Sequence, residues 1–509
     1  MWRRKPTKSF LKGKEVEMFN HNNSEGTSIS AEILKAEINK LNMALEAVPH
    51  SEILTQLLKQ LKPLDFNALA NPRREEGFKL GEKHYLVLTI AEILSIAKKN
   101  RWGMCRKHNF IFLYNGNYWS EIDDATIQKF LGKAAEAMGV PHFSARHYLF
   151  REKLFKQFLS DAFLPTPEVS KGKVLINLLN GTFEISPKET ILRPFDPLDF
   201  ITYQLQFEYD PAAKAPIFQT YLDRVLPDLD SQKVLAEYLG YVFIKHDSKV
   251  LKLEKVLLLY GPGANGKSVF FEVVSALLGP ENLSNFTLTN LLSELGYYRA
   301  KIGNKLVNFA SELNGKIGNN ALFKQMVSGE PIEARLPYGH PFTLLDYAKL
   351  IFNTNELPKD VEQNEAYFRR FLIVPFNVTI PKEERDSTLP TRIIESELAG
   401  VFNWALEGLK RLLEQKQFTS SKAVEDTVEK YRQESDTVYL YLEEYDYKAS
   451  TIEHVTLKLV YEDYRTYSNM SGFIPCSIRT FSERLRAHGY KVERKNFGNV
   501  VYTVGKKVL

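Results

Sequence analysis

The stretch "VLLLYGPGANGKSVFFEVVSALLG", Val256 to Gly279, decides the fold. The apolar run Val256 to Tyr260 reads as a buried strand. The chain then turns through Gly261-Pro-Gly-Ala-Asn-Gly266 into Lys267-Ser268 and an apolar-periodic helix, which is a P-loop in its proper setting. Gly261, Gly263 and Gly266 allow the backbone around Ala264 and Asn265 to curl, so that successive N–H groups face phosphate oxygens. Lys267 supplies a compact charge to the β and γ phosphates, Ser268 a hydroxyl for Mg²⁺, and the helix its positive dipole end. An α/β chain that binds and hydrolyses ATP is expected.

The chain has 509 residues, 44% of them hydrophobic. That length predicts about three to four domains with sizeable cores. No run approaches the roughly eighteen apolar residues a membrane span needs, and "MWRRKPTKSF" has no apolar segment behind its basic residues. Neither a membrane anchor nor a signal peptide is expected. Cys105 and Cys476 suit neither a zinc cluster nor a disulfide framework, so a cytoplasmic protein is expected, whose metal arrives with the nucleotide. The net charge of +5 is too mild to separate a nucleic-acid binder from other enzymes.

Along the chain, residues 1–105 read as a mobile, polar start followed by helix over Ala31 to Leu61, with Leu34, Ile38, Leu41 and Leu45 at spacings of four and three and a break near Pro49. Residues 106–215 read as an α+β domain. Its β-like segments "FIFLYNGNYWSEI" and "KVLINLLNGTFEIS" each carry an Asn-Gly turn signal, and Asp124 to Leu159 is helical. Two helices in 216–250 lead into the P-loop strand, the ATPase spans 251–395, and a helical connector covers 396–435. In 436–509, two helix-like segments precede "YKVERKNFGNVVYTV", two strands around a turn at Phe497-Gly498-Asn499, which is the winged-helix pattern. Arg479, Arg484, Arg486 and His488 stud its second helix, and Lys491, Arg494 and Lys495 charge the ribbon. A duplex-docking module needs such a helix and wing, because phosphate neutralisation dominates affinity.

Four features after the P-loop narrow the kind of ATPase. "KLVNFASEL" is an apolar strand, expected beside the P-loop, that ends in Ser311-Glu312; Glu312 can polarise the attacking water or help hold Mg²⁺. "AKLIFNTNELP" is a second buried strand ending at Asn353-Thr-Asn355, whose amide can orient the γ-phosphate or the water. In "FRRFLIVPF", Arg369 and Arg370 precede a short strand and can supply an arginine finger to a neighbouring subunit. The segment "FKQMVSGEPIEARLPYGHPFTL" holds Lys324, Arg335 and an apparent hairpin tipped by Tyr338-Gly-His340, suited to gripping a single strand by stacking and phosphate contact.

That series resembles the superfamily 3 helicases of phages, plasmids and small DNA viruses, and within them the helicase half of the satellite-phage and poxvirus-type primase-helicases. The likeness runs from about Phe110 to the end. It implies an AAA+-type core assembling as a hexameric ring, with ATP between subunits, one DNA strand through the centre and 3′-to-5′ movement. By that resemblance Lys267 and Ser268 bind phosphate and Mg²⁺, Glu312 is the Walker B acid and Asn355 the sensor. Arg369 or Arg370 is the trans finger, and Tyr338 to His340 line the pore.

Two departures stand out. Ser311 occupies a place where many relatives carry a second acid, and His340 one where a lysine is common. The first hundred residues lack the acidic and zinc-ligand motifs of a primase, so a separate primase partner is expected. Two rival readings remain: an ATP-regulated origin-binding switch, and a packaging or defence ATPase that leaves strands paired. The finger and the hairpin favour translocation, since a simple switch needs neither.

Overall fold

The computed structural model describes residues 48–504, apart from 108–109, 163–171, 187–188, 247, 249, 312, 314–319 and 359–360. The expected helix over 31–47 therefore lies outside the described residues, and so does Glu312. From His50 to Gln60 the chain is helical, starting just after Pro49.

Three antiparallel strands, β1 (Gly103–Lys107), β2 (Phe110–Tyr114) and β3 (Trp119–Ile122), form the first sheet. Alternation sends its side chains to two cores. Met104, Ile111 and Leu113 pack with Ile53, Ile90, Ile93, Leu131 and Leu154 from the surrounding helices. Cys105, Phe112, Tyr114 and Trp119 pack on Phe200 instead. The expected division at residue 105 thus runs through one core, because β1 supplies apolar side chains to the helices before it as well as those after it. A second antiparallel sheet, β4 (Val174–Leu178), β5 (Gly181–Ile185) and β6 (Thr190–Arg193), joins the core around the P-loop strand rather than that of the first sheet, through Ile176, Phe183 and Ile185.

The central sheet contains β7 (Val256–Tyr260), β8 (Leu283–Ser284), β9 (Val307–Ser311), β12 (Lys349–Thr354) and β13 (Phe371–Pro375), while β10 (Ile332–Arg335) and β11 (Pro341–Leu344) form a separate hairpin. Its order is β13-β7-β12-β9-β8, all parallel. The strand ending in Ser311 is consequently next but one to the P-loop strand, with β12 between them, rather than beside it as expected. Both faces are covered, as parallel sheets require. Leu257, Leu259, Phe309, Ile351 and Val374 pack against the helices Leu229–Tyr241, Lys267–Leu278 and Leu389–Gln415. Val256, Leu258, Phe352, Phe371 and Ile373 face Phe323, Met326, Tyr367 and Tyr431.

The helix Leu389–Gln415 lies across the expected boundary at 395 and packs along Leu229–Tyr241. At their crossing, a β-carbon on Gly408 would stand 2.3 Å from the Ala236 carbonyl carbon, so only glycine permits the approach. The last module holds helices Thr437–Glu444, Leu457–Met470 and Ile478–Ala487, the two-stranded pair β14 (Lys448–Ala449) with β18 (Thr503–Val504), and the sheet β15 (Val455–Thr456), β17 (Gly498–Val501), β16 (Val492–Lys495). Its own core contains Tyr441, Tyr464, Phe481 and Leu485. Among the described residues no helix is long and apolar enough to cross a membrane.

Candidate functional site: a P-loop cleft with an arginine pair behind it

At the carboxyl end of β7 the loop 261–266 takes the backbone values that its glycines predict at two positions. Gly261 has φ +154° and Gly266 φ +86°, and a β-carbon on Gly261 would lie 2.2 Å from the Phe376 carbonyl oxygen. Ala264 also has positive φ. Gly263, by contrast, has neither a positive φ nor a neighbour within 4 Å of an added β-carbon; it lines the cleft. The loop is stapled from three sides. Asn265 donates its amide to the Phe376 carbonyl (2.8 Å), the Ile380 N–H donates to the Ala264 carbonyl (2.8 Å), and the Tyr221 hydroxyl donates to the Gly266 carbonyl (2.8 Å). Such fixing preorganises the amide groups before any anion arrives.

Lys267 is buried, and its Nζ donates to Gly261 O (2.6 Å), Pro262 O (3.0 Å) and Asn265 Oδ1 (3.1 Å). Burial lowers its pKa to about 8. A phosphate oxygen would answer that charge better than three neutral acceptors.

The loop opens into a cleft of about 900 Å³ that also receives Ser311, Asn353 and Asn355 from the ends of β9 and β12. The parallel register sets Asn353 opposite Ser311, so their side chains share a face. Asn353 Oδ1 is buried without a hydrogen-bond partner. The residues present fit a Mg²⁺-bound triphosphate: a P-loop lysine, the Ser268 hydroxyl at a helix start, and an orphaned acceptor on a residue that lines the cleft.

Sequence reasoning missed the cleft's other wall. Ile217, Tyr221 and Val225 come from the helix Pro216–Val225, and Ile380, Arg385, Leu389 and Arg392 from the segment after β13. That helix is held by the buried Glu397 carboxylate, which accepts from the Ile217 and Phe218 N–H groups at 2.9 Å each. Only the clustered charges of "PKEERDSTLPTR" hinted at this wall.

Between β9 and β12 the chain makes the expected hairpin. β10 and β11 pair from Ile332–Leu344 to Arg335–Pro341, and the side chain of Tyr338 at the tip is fully exposed with His340 beside it. Arg335 Nε donates to Gly339 O (2.9 Å), bracing the tip. Lys324 lies elsewhere, on the helix Asn320–Val327, ion-paired with Glu362 at 2.6 Å.

Residues 91–227 match the family described as D5 N terminal like. Residues 259–370 match a family of unknown function, DUF5906, and these hold the P-loop, β9, the hairpin, β12 and both arginines. A protein of Acanthamoeba polyphaga mimivirus, L207/L206, provisionally named a helicase, is 23% identical over 235 residues. The match covers 45% of this chain and 24% of the mimivirus protein, so it spans about a quarter of that relative's length. Two apo structures of the NrS-1 C-terminal region align over 82% of the chain and 99% and 100% of theirs, at 12% and 13% identity with TM-scores of 0.42 and 0.44. The likeness to phage and poxvirus-type primase-helicases read from the sequence thus stands at the level of the D5-like domain and its neighbour.

The D5-like match ends just past the helix that walls the cleft, while the arginine pair lies at the far side of the sheet. Phe371 pairs with Val256, the first residue of β7, so Arg369 and Arg370 stand at the amino end of the strands. The P-loop follows the carboxyl end, five residues on, or about 16 Å. Arg370 is buried, donating to Ser328 Oγ (3.0 Å) and lying 3.6 Å from Glu254. Arg369 is exposed and bonded to the same carboxylate at 3.0 Å.

In the C-terminal module the basic residues divide. Arg484 is turned inward to Asp436 (3.0 Å), which also meets His488 (2.8 Å). Burial alone would raise the Asp436 pKa, but His488 and Arg484 outweigh it and hold the carboxyl below its ordinary value. Arg479 is exposed with Glu483 at 3.1 Å, Lys491 pairs with Glu493 at 2.9 Å, and Arg486 and Arg494 are exposed. Lys495 lies over the Tyr502 ring, and Phe497 projects from the ribbon turn.

Proposed function

We propose that the chain is an ATP-hydrolysing motor that moves single-stranded DNA in the replication of a phage- or virus-type element. One observation carries this reading: the hairpin bearing Tyr338 is inserted between the two strands, β9 and β12, whose ends line the nucleotide cleft. A change at Ser311 or Asn355 on phosphate release therefore has a short covalent route to an exposed aromatic tip. Aromatic stacking with nearby cationic groups grips a single strand without regard to sequence.

Lys267 and the P-loop amides hold the β and γ phosphates, and Ser268 with Glu312 attends the Mg²⁺ ion, which supplies charge neutralisation at the transferring phosphoryl group when bound. Asn355 orients the γ-phosphate, and the base rests between Tyr221, Ile217, Ile380 and Leu389. Arg369 is the finger. It cannot reach the nucleotide of its own subunit across the sheet, so catalysis needs a neighbour, as in a hexameric ring. The C-terminal module is a winged helix that meets duplex DNA through Arg479, Arg486, Lys491, Arg494 and Lys495, with 3′-to-5′ movement along the tracked strand.

ATP hydrolysis measured with and without single-stranded DNA tests the reading. Stimulation by DNA that disappears in Lys267→Ala supports it; hydrolysis indifferent to DNA at every protein concentration rejects the motor.

A further inference from the structure

Asn353 has no part in the mechanism just given, yet its Oδ1 is buried at the cleft without a partner. An unpaired buried acceptor is costly, and one that lines a cleft is satisfied when a ligand brings a donor. Phosphate oxygens cannot satisfy it, because they too only accept. The occupant must bring a proton, and at the triphosphate end of a nucleotide the group that does so is bound water.

The neighbourhood selects which water. Asn353 stands opposite Ser311 in the β12–β9 register and on the same face, and both line the cleft that Ser268 and Lys267 enter. The amide for the γ-phosphate or the attacking water is already supplied by Asn355 at the same strand end. A metal-bound water wants only acceptors, since the ion has already made it a strong donor.

We propose that Asn353 Oδ1, together with the Ser311 hydroxyl, accepts hydrogen bonds from water bound to the nucleotide's Mg²⁺ ion. Asn353 is thus a positioning residue for the metal. This inference rests on the nucleotide reading above. The preference for metal-bound over metal-free nucleotide then depends on this amide–hydroxyl pair as well as on Ser268 and Glu312.

The test compares affinities for a fluorescent ATP analogue in excess Mg²⁺ and in EDTA, using the native chain, Asn353→Leu, Asn353→Asp and Lys267→Ala. Outer-sphere partners change metal affinity by roughly 10–100-fold. Asn353→Leu should bind the analogue in EDTA as the native chain does, but lose about tenfold of the enhancement that Mg²⁺ gives. Asn353→Asp, which puts a carboxylate there with little change of shape, should enlarge that enhancement and keeps the test decisive if the leucine variant fails to fold. An unchanged Mg²⁺ enhancement in Asn353→Asp overturns the proposal, as does equal weakening of Asn353→Leu with and without metal. A native chain that binds no analogue, or Lys267→Ala binding as well as native, instead overturns the nucleotide reading beneath it.

Discussion

Arg370 donates from Nη2 to Ser328 Oγ over 3.0 Å, joining the start of β13 to the residues just before the hairpin. Its neighbour Arg369 points outward onto Glu254, which both guanidinium groups share. Adjacent arginines therefore have different tasks, and they separate by measurement. Arg370→Ala should destabilise the fold by about 2–4 kcal/mol, because it leaves a buried network half paired. Arg369→Ala should unfold like the native chain yet lose hydrolysis, and mixing it with Lys267→Ala should restore part of the activity. Recovery by Arg370→Ala alone in the mixing assay would reverse the assignment.

Lys267 gives a pH dependence with a definite sign. Its ammonium titrates at about 8 in the free protein, and a bound triphosphate favours the charged form. Below pH 8 nucleotide affinity should be flat in this respect. Above it, binding must take up a proton, and affinity should fall by up to about tenfold per pH unit. Lys267→Arg removes that titration, so its residual binding should lack the slope; isothermal titration in two buffers would read the proton uptake directly.

How much of this was legible in the sequence depended on range. The P-loop, β9, β12 and the hairpin were visible because each is set by a local signal: an apolar run, a glycine turn, or a change of period. The order of the strands was not, since nothing in Val307–Ser311 says which strand it will lie beside. Charge roles were hidden for the same reason. Arg484 looked like part of a basic helix face until Asp436, 48 residues earlier, was brought against it. Lys324 was likewise claimed by Glu362. The wall of the cleft assembles from residues on both sides of the ATPase, with no pattern that announces the pairing.

The C-terminal module should show this division of labour. Arg484→Ala should lower its stability by about 1–3 kcal/mol. Arg486→Ala and Arg494→Ala should leave stability unchanged while weakening duplex binding and reducing its salt slope by about one each. Because the Asp436 carboxyl is held below its ordinary value, its stabilisation is present above about pH 4 and is lost as pH falls through the lower folded value. Thermal unfolding of native and Asp436→Asn proteins should therefore converge as pH falls below the ordinary carboxylate range.

The exposed Tyr338 should be dispensable for folding. Tyr338→Ala should keep the native unfolding temperature and the DNA-free hydrolysis rate but lose about 1–3 kcal/mol of single-strand affinity. A drop in the DNA-free rate to the level of Lys267→Ala would place the tyrosine in the nucleotide site instead.

The central claim is that energy released in the P-loop cleft moves DNA through the hairpin. Strand separation of a forked duplex with a free 3′ tail, in ATP and Mg²⁺, tests it most directly. The native chain should separate the strands, Lys267→Ala should not, and Tyr338→Ala and His340→Ala should hydrolyse ATP without unwinding. Hydrolysis by the native chain with no separation on a fork of either polarity would contradict the account.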